Sequence, residues 1–187
     1  MVGLILGDGS LVKKYEGGGT YFKFAQGDLH VSYLFHVFGL FHKAGLVNIS
    51  EPSPGTSIIK GQTYHWWAFS TISYNFWNSW YYTWYPTDKK VIPAIIESLL
   101  TPVAMAYWFI DDGGWTGIGI HLNTNGFTYE DVIRLAAAVR SRYGLKCTVH
   151  SRNRVYIWAG SAQDLIKIVR PFVHHSIGYK LNHPVKK

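Results

Sequence analysis

Two short stretches place a carboxylate and a glycine directly after an apolar run, "GLILGDGSL" at residues 3–11 and "YWFIDDGGW" at residues 107–115. Asp8 and Asp112 hold the same place in the two patterns, 104 positions apart. Read as helices, both runs put negative charge at a C-terminus, where unpaired carbonyls and the macrodipole already disfavour it. Either aspartate alone would be read as a solvated helix end, and Asp111 keeps that reading because its repeat partner is Gly7. As a pair, brought together by a repeat, the two carboxylates would repel unless cations neutralised them. A hard divalent ion accepts one or two carboxylates and completes its shell with water and phosphate oxygens. Held beside a phosphodiester, such an ion orients and activates water and stabilises the leaving oxygen. The chemistry expected of the pair is phosphodiester hydrolysis.

The rest of the chain must then be written twice as well. Gly45-Leu46 ends a helical segment as Gly144-Leu145 does, Trp67-Ala68-Phe69-Ser70 is matched by Trp158-Ala159-Gly160-Ser161, and Tyr85 to Lys90 by Gly178-Tyr179-Lys180. The spacing from Trp67 to Lys90 is 23 positions and from Trp158 to Lys180 is 22. Each unit reads as helix, hairpin, helix, hairpin, helix, and the fold class is α+β. Two αββαββα halves, residues 1–92 and 93–187, are expected, which a pseudo-twofold axis would relate with the motif helices meeting at the interface. Gly3 and Gly7, one turn apart, permit close backbone approach there, with Tyr107 filling across.

Strands show as alternation. "TYFKFAQ" sets Phe22 and Phe24 against Tyr21 and Lys23; "GIGIHLN" sets Ile118, Ile120 and Leu122 against Gly119, His121 and Asn123; "RVYIW" sets Val155 and Ile157 against Arg154, Tyr156 and Trp158. Helices cover the apolar faces: "HVSYLFHVFGLFHKAG", "TYEDVIRLAAAVRSRYG" with Thr128 as its start signal, and "SAQDLIKIVRPF" opened by Ser161. Gly17-Gly18-Gly19 and Ser151-Arg152-Asn153 mark hairpin turns, "EPSPGTSIIKG" reads as an irregular loop, and Pro86 to Pro102 as the link between halves. The polar faces of two antiparallel sheets would form a saddle suited to a duplex groove. Its candidate base and phosphate contacts are Lys13, Lys14, Tyr21, Lys23, His65, His121, Asn123, Arg152, Arg154 and Tyr156.

Composition agrees with an anionic partner. Eighteen Lys and Arg against 11 Asp and Glu leave a net charge of +7 over 187 residues, and a basic excess is the footprint of nucleic-acid binding. The aromatic run at residues 64–85 reads as core or as stacking platforms for bases. Cys147 is the single cysteine, so no internal disulfide forms, and the nine histidines show no ligand spacing. His174-His175 reads as a turn. No stretch approaches the about 18 apolar residues of a membrane span, and "MVGLILG" lacks signal-peptide features. Because Met1 stands inside an apolar segment, a longer natural chain is expected upstream.

"MVGLILGDG" at residues 1–9 and "MAYWFIDDG" at 105–113 resemble the two motif copies of the LAGLIDADG homing endonucleases. "LTPVAMAYWFIDDGG" is similar to the single-chain, intron-encoded, organellar branch that includes the omega-intron endonuclease. The resemblance covers almost the whole chain and implies a monomer that binds a long asymmetric DNA site. It implies cleavage of both strands across the minor groove with Mg²⁺, or Mn²⁺ as substitute, leaving short 3′ overhangs. The family's metal-binding aspartates fall on Asp8 and Asp112, with the carbonyls of Gly7 and Asp111 as further ligands. Its supporting lysines fall on Lys90 and Lys180, with Lys89 the alternative to the first. Tyr107 departs from the small residue common in the motif. A mitochondrial or chloroplast location is implied too, and an RNA-binding maturase acting on intron RNA is the alternative on the same scaffold.

Overall fold

A computed structural model describes residues 1–182; the sequence segment 93–187 therefore has its last five residues outside the described ones. In chain order the elements are α1 (Val2–Leu6), β1 (Ser10–Lys13), β2 (Thr20–Gly27), α2 (Val31–Lys43), β3 (Ser53–Ile59), β4 (Gln62–Ser70), α3 (Asn78–Trp84), α4 (Ile96–Leu99), α5 (Pro102–Asp112), β5 (Gly113–Trp115), β6 (Ile120–Leu122), α6 (Tyr129–Tyr143), β7 (Cys147–His150), β8 (Arg154–Ile157) and α7 (Ala159–Val169). They divide into two compact units: Asp8–Tyr81, and Met1–Gly7 together with the chain from Tyr82 on.

Each unit contains one four-stranded antiparallel sheet, ordered β1-β2-β4-β3 in the first and β5-β6-β8-β7 in the second. In Asp8–Tyr81 the alternation of β2 is realised: Phe22 and Phe24 are fully buried while Lys23 is exposed. α2 packs over β2 and β4, and Phe41 stacks on Phe22 with centroids 4.9 Å apart. Gly39 in α2 faces open space where a Cβ would stand. Since glycine costs a helix interior about 0.5–1 kcal/mol relative to alanine, Gly39→Ala should raise the urea midpoint accordingly; a lowered midpoint would contradict the placement.

In the other unit α6 begins at Thr128, whose hydroxyl accepts from the Asp131 amide at 3.2 Å, and ends at Gly144, which is left-handed at φ 65°. Gly45 after α2 has the same sign, φ 70°, so the Gly-Leu match marks the same stop in both units. Inside α6, Asp131 pairs with Arg134 at 3.0 Å, and that guanidinium also donates to the Ile92 carbonyl at 2.6 Å. α5 is opened by Thr101, which caps the Ala104 amide, and by Pro102 in the first turn, where its missing N–H costs nothing.

Several sequence expectations need correction. The stretch read as an irregular loop contains β3, paired with β4 through a two-residue turn in which Lys60 and Gly61 have φ 53° and 79°, the left-handed pair of a tight hairpin. Pro54 is tolerated there because β3 is an edge strand. Ile118 is 68% exposed in the turn before β6 rather than in its apolar row. α7 starts at Ala159, so Ser161 lies inside it, its hydroxyl accepting from the Lys146 amide at 2.9 Å. The segment read as a link holds α4. The aromatic run divides: Phe69, Trp77, Tyr81 and Trp84 are core, whereas Tyr64, Phe76 and Tyr82 are exposed.

Register also revises the repeat. Ser10 faces Lys23 and Gly114 faces His121, each two positions after Asp8 or Asp112, so Lys23 and His121 correspond. Their partners on the next strand, Ser70 and Tyr156, correspond as well. Trp67 therefore matches Asn153, and the Trp67/Trp158 match joins the end of a strand to the start of a helix.

Candidate functional site

α1 and α5 pack directly on each other. A Cβ on Gly3 would collide with the Ala104 carbonyl and meet the Tyr107 Cβ at 2.9 Å; one on Gly7 would meet the Asp111 Cβ at 2.5 Å and its Cγ at 2.8 Å. Glycines four apart on one helix thus receive Tyr107 and Asp111, four apart on the other, so the departure at Tyr107 is accommodated by Gly3. Asp111 is half-buried with its side chain against Gly7, not the solvated helix end that the sequence alone suggests. Burial first, and then the Asp111 charge, push the Tyr107 phenol up.

Asp112 closes α5, and its carbonyl accepts from the Asn123 amide at 3.1 Å. An open cavity of about 270 Å³ lies beside it, lined by Gly7, Lys90, Asp112 and the loop Asn123–Phe127, with room for several waters. Asn123 belongs to this wall, beyond the end of β6. Asn153 shapes the wall from behind: its amide donates to the Phe127 carbonyl at 2.9 Å and its carbonyl accepts the Thr124 hydroxyl.

Both nominated lysines reach the carbonyls at the ends of the motif helices. Lys90 Nζ donates to Gly7 O at 3.3 Å; Lys180 Nζ donates to Ile110 O at 2.5 Å and Asp111 O at 3.3 Å. Of the Lys89 and Lys90 alternatives, Lys90 makes this contact, while Lys89 is exposed. A cation at orphan carbonyls offsets the negative end of a helix. Two of these oxygens, Gly7 O and Asp111 O, are the carbonyls expected as further metal ligands, and each keeps a second lone pair beside its lysine. Lys180 is held in place through its own carbonyl, which accepts from Trp115 Nε1 at 2.9 Å.

Asp8 is exposed, in the other unit, and Gln26 Nε2 donates to its Oδ2 at 2.7 Å from a buried position. By register the corresponding residue is Thr124, which is turned to Asn153 instead. The two aspartates therefore have different local surroundings.

The Asp112 carboxylate and the side-chain and backbone oxygens of Asn123, Thr124 and Asn125 in the cavity wall are donors that suit a hard cation, with the Lys90 ammonium on the same wall. Among the described residues no three His, Cys, Asp or Glu side chains gather as a metal cage, and Mg²⁺ needs none, because it keeps water and takes substrate oxygens.

The profile of the LAGLIDADG DNA endonuclease family matches residues 1–165. The chain belongs to this family. Among curated relatives it is 35% identical to the cytochrome b mRNA maturase bI2 of Debaryomyces hansenii, over 98% of this chain and 72% of that protein. It is 34% identical to the cytochrome b mRNA maturase bI2 of Saccharomyces cerevisiae, over 97% of this chain but 46% of that protein. The fold matches the homing endonuclease I-WcaI, solved bound to its DNA recognition sequence, with TM-score 0.86 and 23% identity over 98% of this chain and 84% of that one. No helix among the described residues is long and apolar enough to cross a membrane.

Within this LAGLIDADG chain, register decides which nominated contacts share a face, because directly opposed residues of an antiparallel pair project together. Tyr21 and Lys23 lie on the face of β2 away from Phe22 and Phe24, and Lys14 continues past β1. Lys13, opposite Thr20, and His65, opposite Thr56, fall on the same side as the helix-packed row. One step of alternation put them there: the free face carries Val12, Tyr64 and Trp66 instead. In the second sheet His121, Arg154 and Tyr156 do share the free face, and Arg152 stands in the adjoining turn at φ 60°. Sequence reading missed His150 and Thr148 on that face. His150 stacks on Tyr156 at 4.3 Å, and its Nδ1 lies 3.2 Å from His121 Nε2. Gln26 was missed as well; only its place in alternation, a polar residue in the buried row, could have signalled it.

Burial, then Arg154 and His150, hold the His121 imidazole below its ordinary 6.5. The unfolded chain takes up this proton first as pH falls, so the stability linked to His121 is complete above pH 6.5 and drains away below it. Urea melts at about pH 7.5 and 5.5 should show a smaller acid loss for His121→Gln than for the parent; equal losses would contradict the shift.

Proposed function

We propose that this chain is a site-specific double-strand DNA endonuclease of the intron-homing kind, acting as a monomer on a long asymmetric duplex site in an organelle. The reading is carried by Asp112, set at the end of a buried motif helix beside an open cavity that it lines with Asn123, Thr124 and Lys90, with Asp8 at the same place in the first motif. Asp8 and Asp112 supply the carboxylates for Mg²⁺, or Mn²⁺ in its place. The bound ion supplies Lewis-acid stabilisation and an activated water. Water adds to phosphorus, the P–O3′ bond breaks, and a proton passes to the leaving oxygen, on both strands across the minor groove to leave short 3′ overhangs. Gln26 orients the Asp8 carboxylate, and Lys90 and Lys180 hold the carbonyl ends of α1 and α5 while adding positive potential near the phosphates. The free faces of the sheets bind the duplex through Tyr21, Lys23, His121, Arg154 and Tyr156, with Lys14 and Arg152 in adjoining segments.

The names of the two yeast relatives favour a second reading, an RNA-binding maturase that assists splicing. Cleavage is preferred because both aspartates and both lysines are retained, and RNA binding alone does not require them. A randomised duplex library incubated with Mg²⁺ should yield one family of cut sites and none in chelator. Intact DNA in Mg²⁺, with tight binding of intron RNA, would instead establish the maturase reading.

A further inference from the structure

On the helix-packed side of the first sheet, the β4 end holds a group of side chains outside the site described above. A cavity of about 490 Å³ opens beside β4, lined by Asp28, Thr56, His65 and Trp67 together with the adjoining strand segments at Pro54, Gly55 and Trp66. Trp67 and His65 project to this side because they alternate with Trp66 and Tyr64, opposite Pro54 and Thr56. Trp67 Nε1 donates to Asp28 Oδ1 at 3.2 Å, which sets an exposed carboxylate against the edge of an indole. Phe35 meets the same indole edge-on at 5.6 Å, is itself 39% exposed, and Leu29 beside Asp28 is 95% exposed.

We infer that this cavity docks an arginine side chain of a partner protein. A carboxylate in an aromatic-walled cleft repels phosphates and carboxylates and attracts a cation. Guanidinium suits it better than ammonium, since its planar fork pairs with a carboxylate and its face stacks on indole. A carboxylate has about four acceptor positions, so the Trp67 bond leaves capacity for the fork. Leu29 and Phe35 give the partner an apolar rim next to the charged centre, the arrangement of a small interaction hot spot. This surface lies on the side of the sheet opposite Tyr21 and Lys23, so it is independent of the duplex-binding proposal.

The test uses the full chain, labelled to show the Trp67 indole N–H resonance, titrated with N-acetyl-arginine amide, N-acetyl-lysine amide, the neutral isostere N-acetyl-citrulline amide and a short single-stranded RNA. Arginine amide should shift the Trp67 resonance saturably, with lysine amide weaker and citrulline amide without effect. Asp28→Asn should weaken arginine binding about tenfold, the loss of one charge-assisted pair, and leave duplex binding unchanged. Equal response to citrulline, lysine binding as tight as arginine, a preference for RNA, no saturable shift, or full retention in Asp28→Asn would each overturn the inference.

Discussion

Asp112→Asn should lower double-strand cleavage about a thousandfold or more while leaving duplex binding intact. Asparagine keeps the shape of the side chain and its backbone link to Asn123, but removes the anion that holds Mg²⁺, and metal-borne stabilisation of transition-state charge is worth several kcal/mol. The change in stability should be small: loss of a negative charge at the end of α5 is favourable by about 0.3–1 kcal/mol, while Lys90 on the same cavity wall favours keeping it. A variant that melts like the parent and cuts far less separates chemistry from folding. Asp8→Asn should lose cleavage likewise. Asp111→Asn, which preserves the volume against Gly7 and the carbonyl held by Lys180, should keep most activity. The measurement is single-turnover cleavage in Mg²⁺ beside binding in chelator. Unchanged cutting by Asp112→Asn would refute the assignment.

Gly3→Ala should be the most damaging of single-methyl additions. The new Cβ would drive into the backbone carbonyl of Ala104 and press on Tyr107, and backbone cannot swing aside as a side-chain tip can. Overpacking of this kind costs about 3 kcal/mol or more, which for a chain of this size lowers Tm by about 6–12 °C. The nearest atoms to a Cβ at Gly7 belong to the Asp111 side chain, and a double change with Asp111→Gly should recover part of the loss in Gly7→Ala, whereas no neighbouring side-chain change should rescue Gly3→Ala. Equal melting of parent and Gly3→Ala would mean that α1 does not approach α5 this closely.

Much of the scaffold was legible because it rests on short-range patterns. Thr128 to Gly144 announces a helix at both ends, and the alternation around Phe22 and Phe24 announces a strand with one buried face. Such signals need only the local backbone geometry of helix and strand. The failures came where register or a turn decided. Lys60-Gly61 makes a tight hairpin from a stretch rich in Pro, Ser and Gly, so β3 looked like a loop. Lys13 and His65 are basic and next to residues of the free face, yet one step in a period of two turns a side chain to the other side of the sheet. The Trp67/Trp158 match was a likeness of letters between a strand and a helix.

The sequence by itself determined the family, the α+β class, the doubled αββαββα pattern, and the aspartates and lysines worth testing, because each is written as residue type at a spacing. Only the tertiary structure decided what those residues touch. It set Lys90 and Lys180 on the carbonyls that end α1 and α5, drew buried Gln26 onto Asp8 but turned Thr124 toward Asn153, packed Asp111 against Gly7, and opened the cavity beside Asp112. These are contacts between residues up to 104 positions apart, fixed by how helices cross and strands register rather than by any local preference. A motif can name a carboxylate; the closeness of two backbones at Gly3 and Gly7 is what gives it a place.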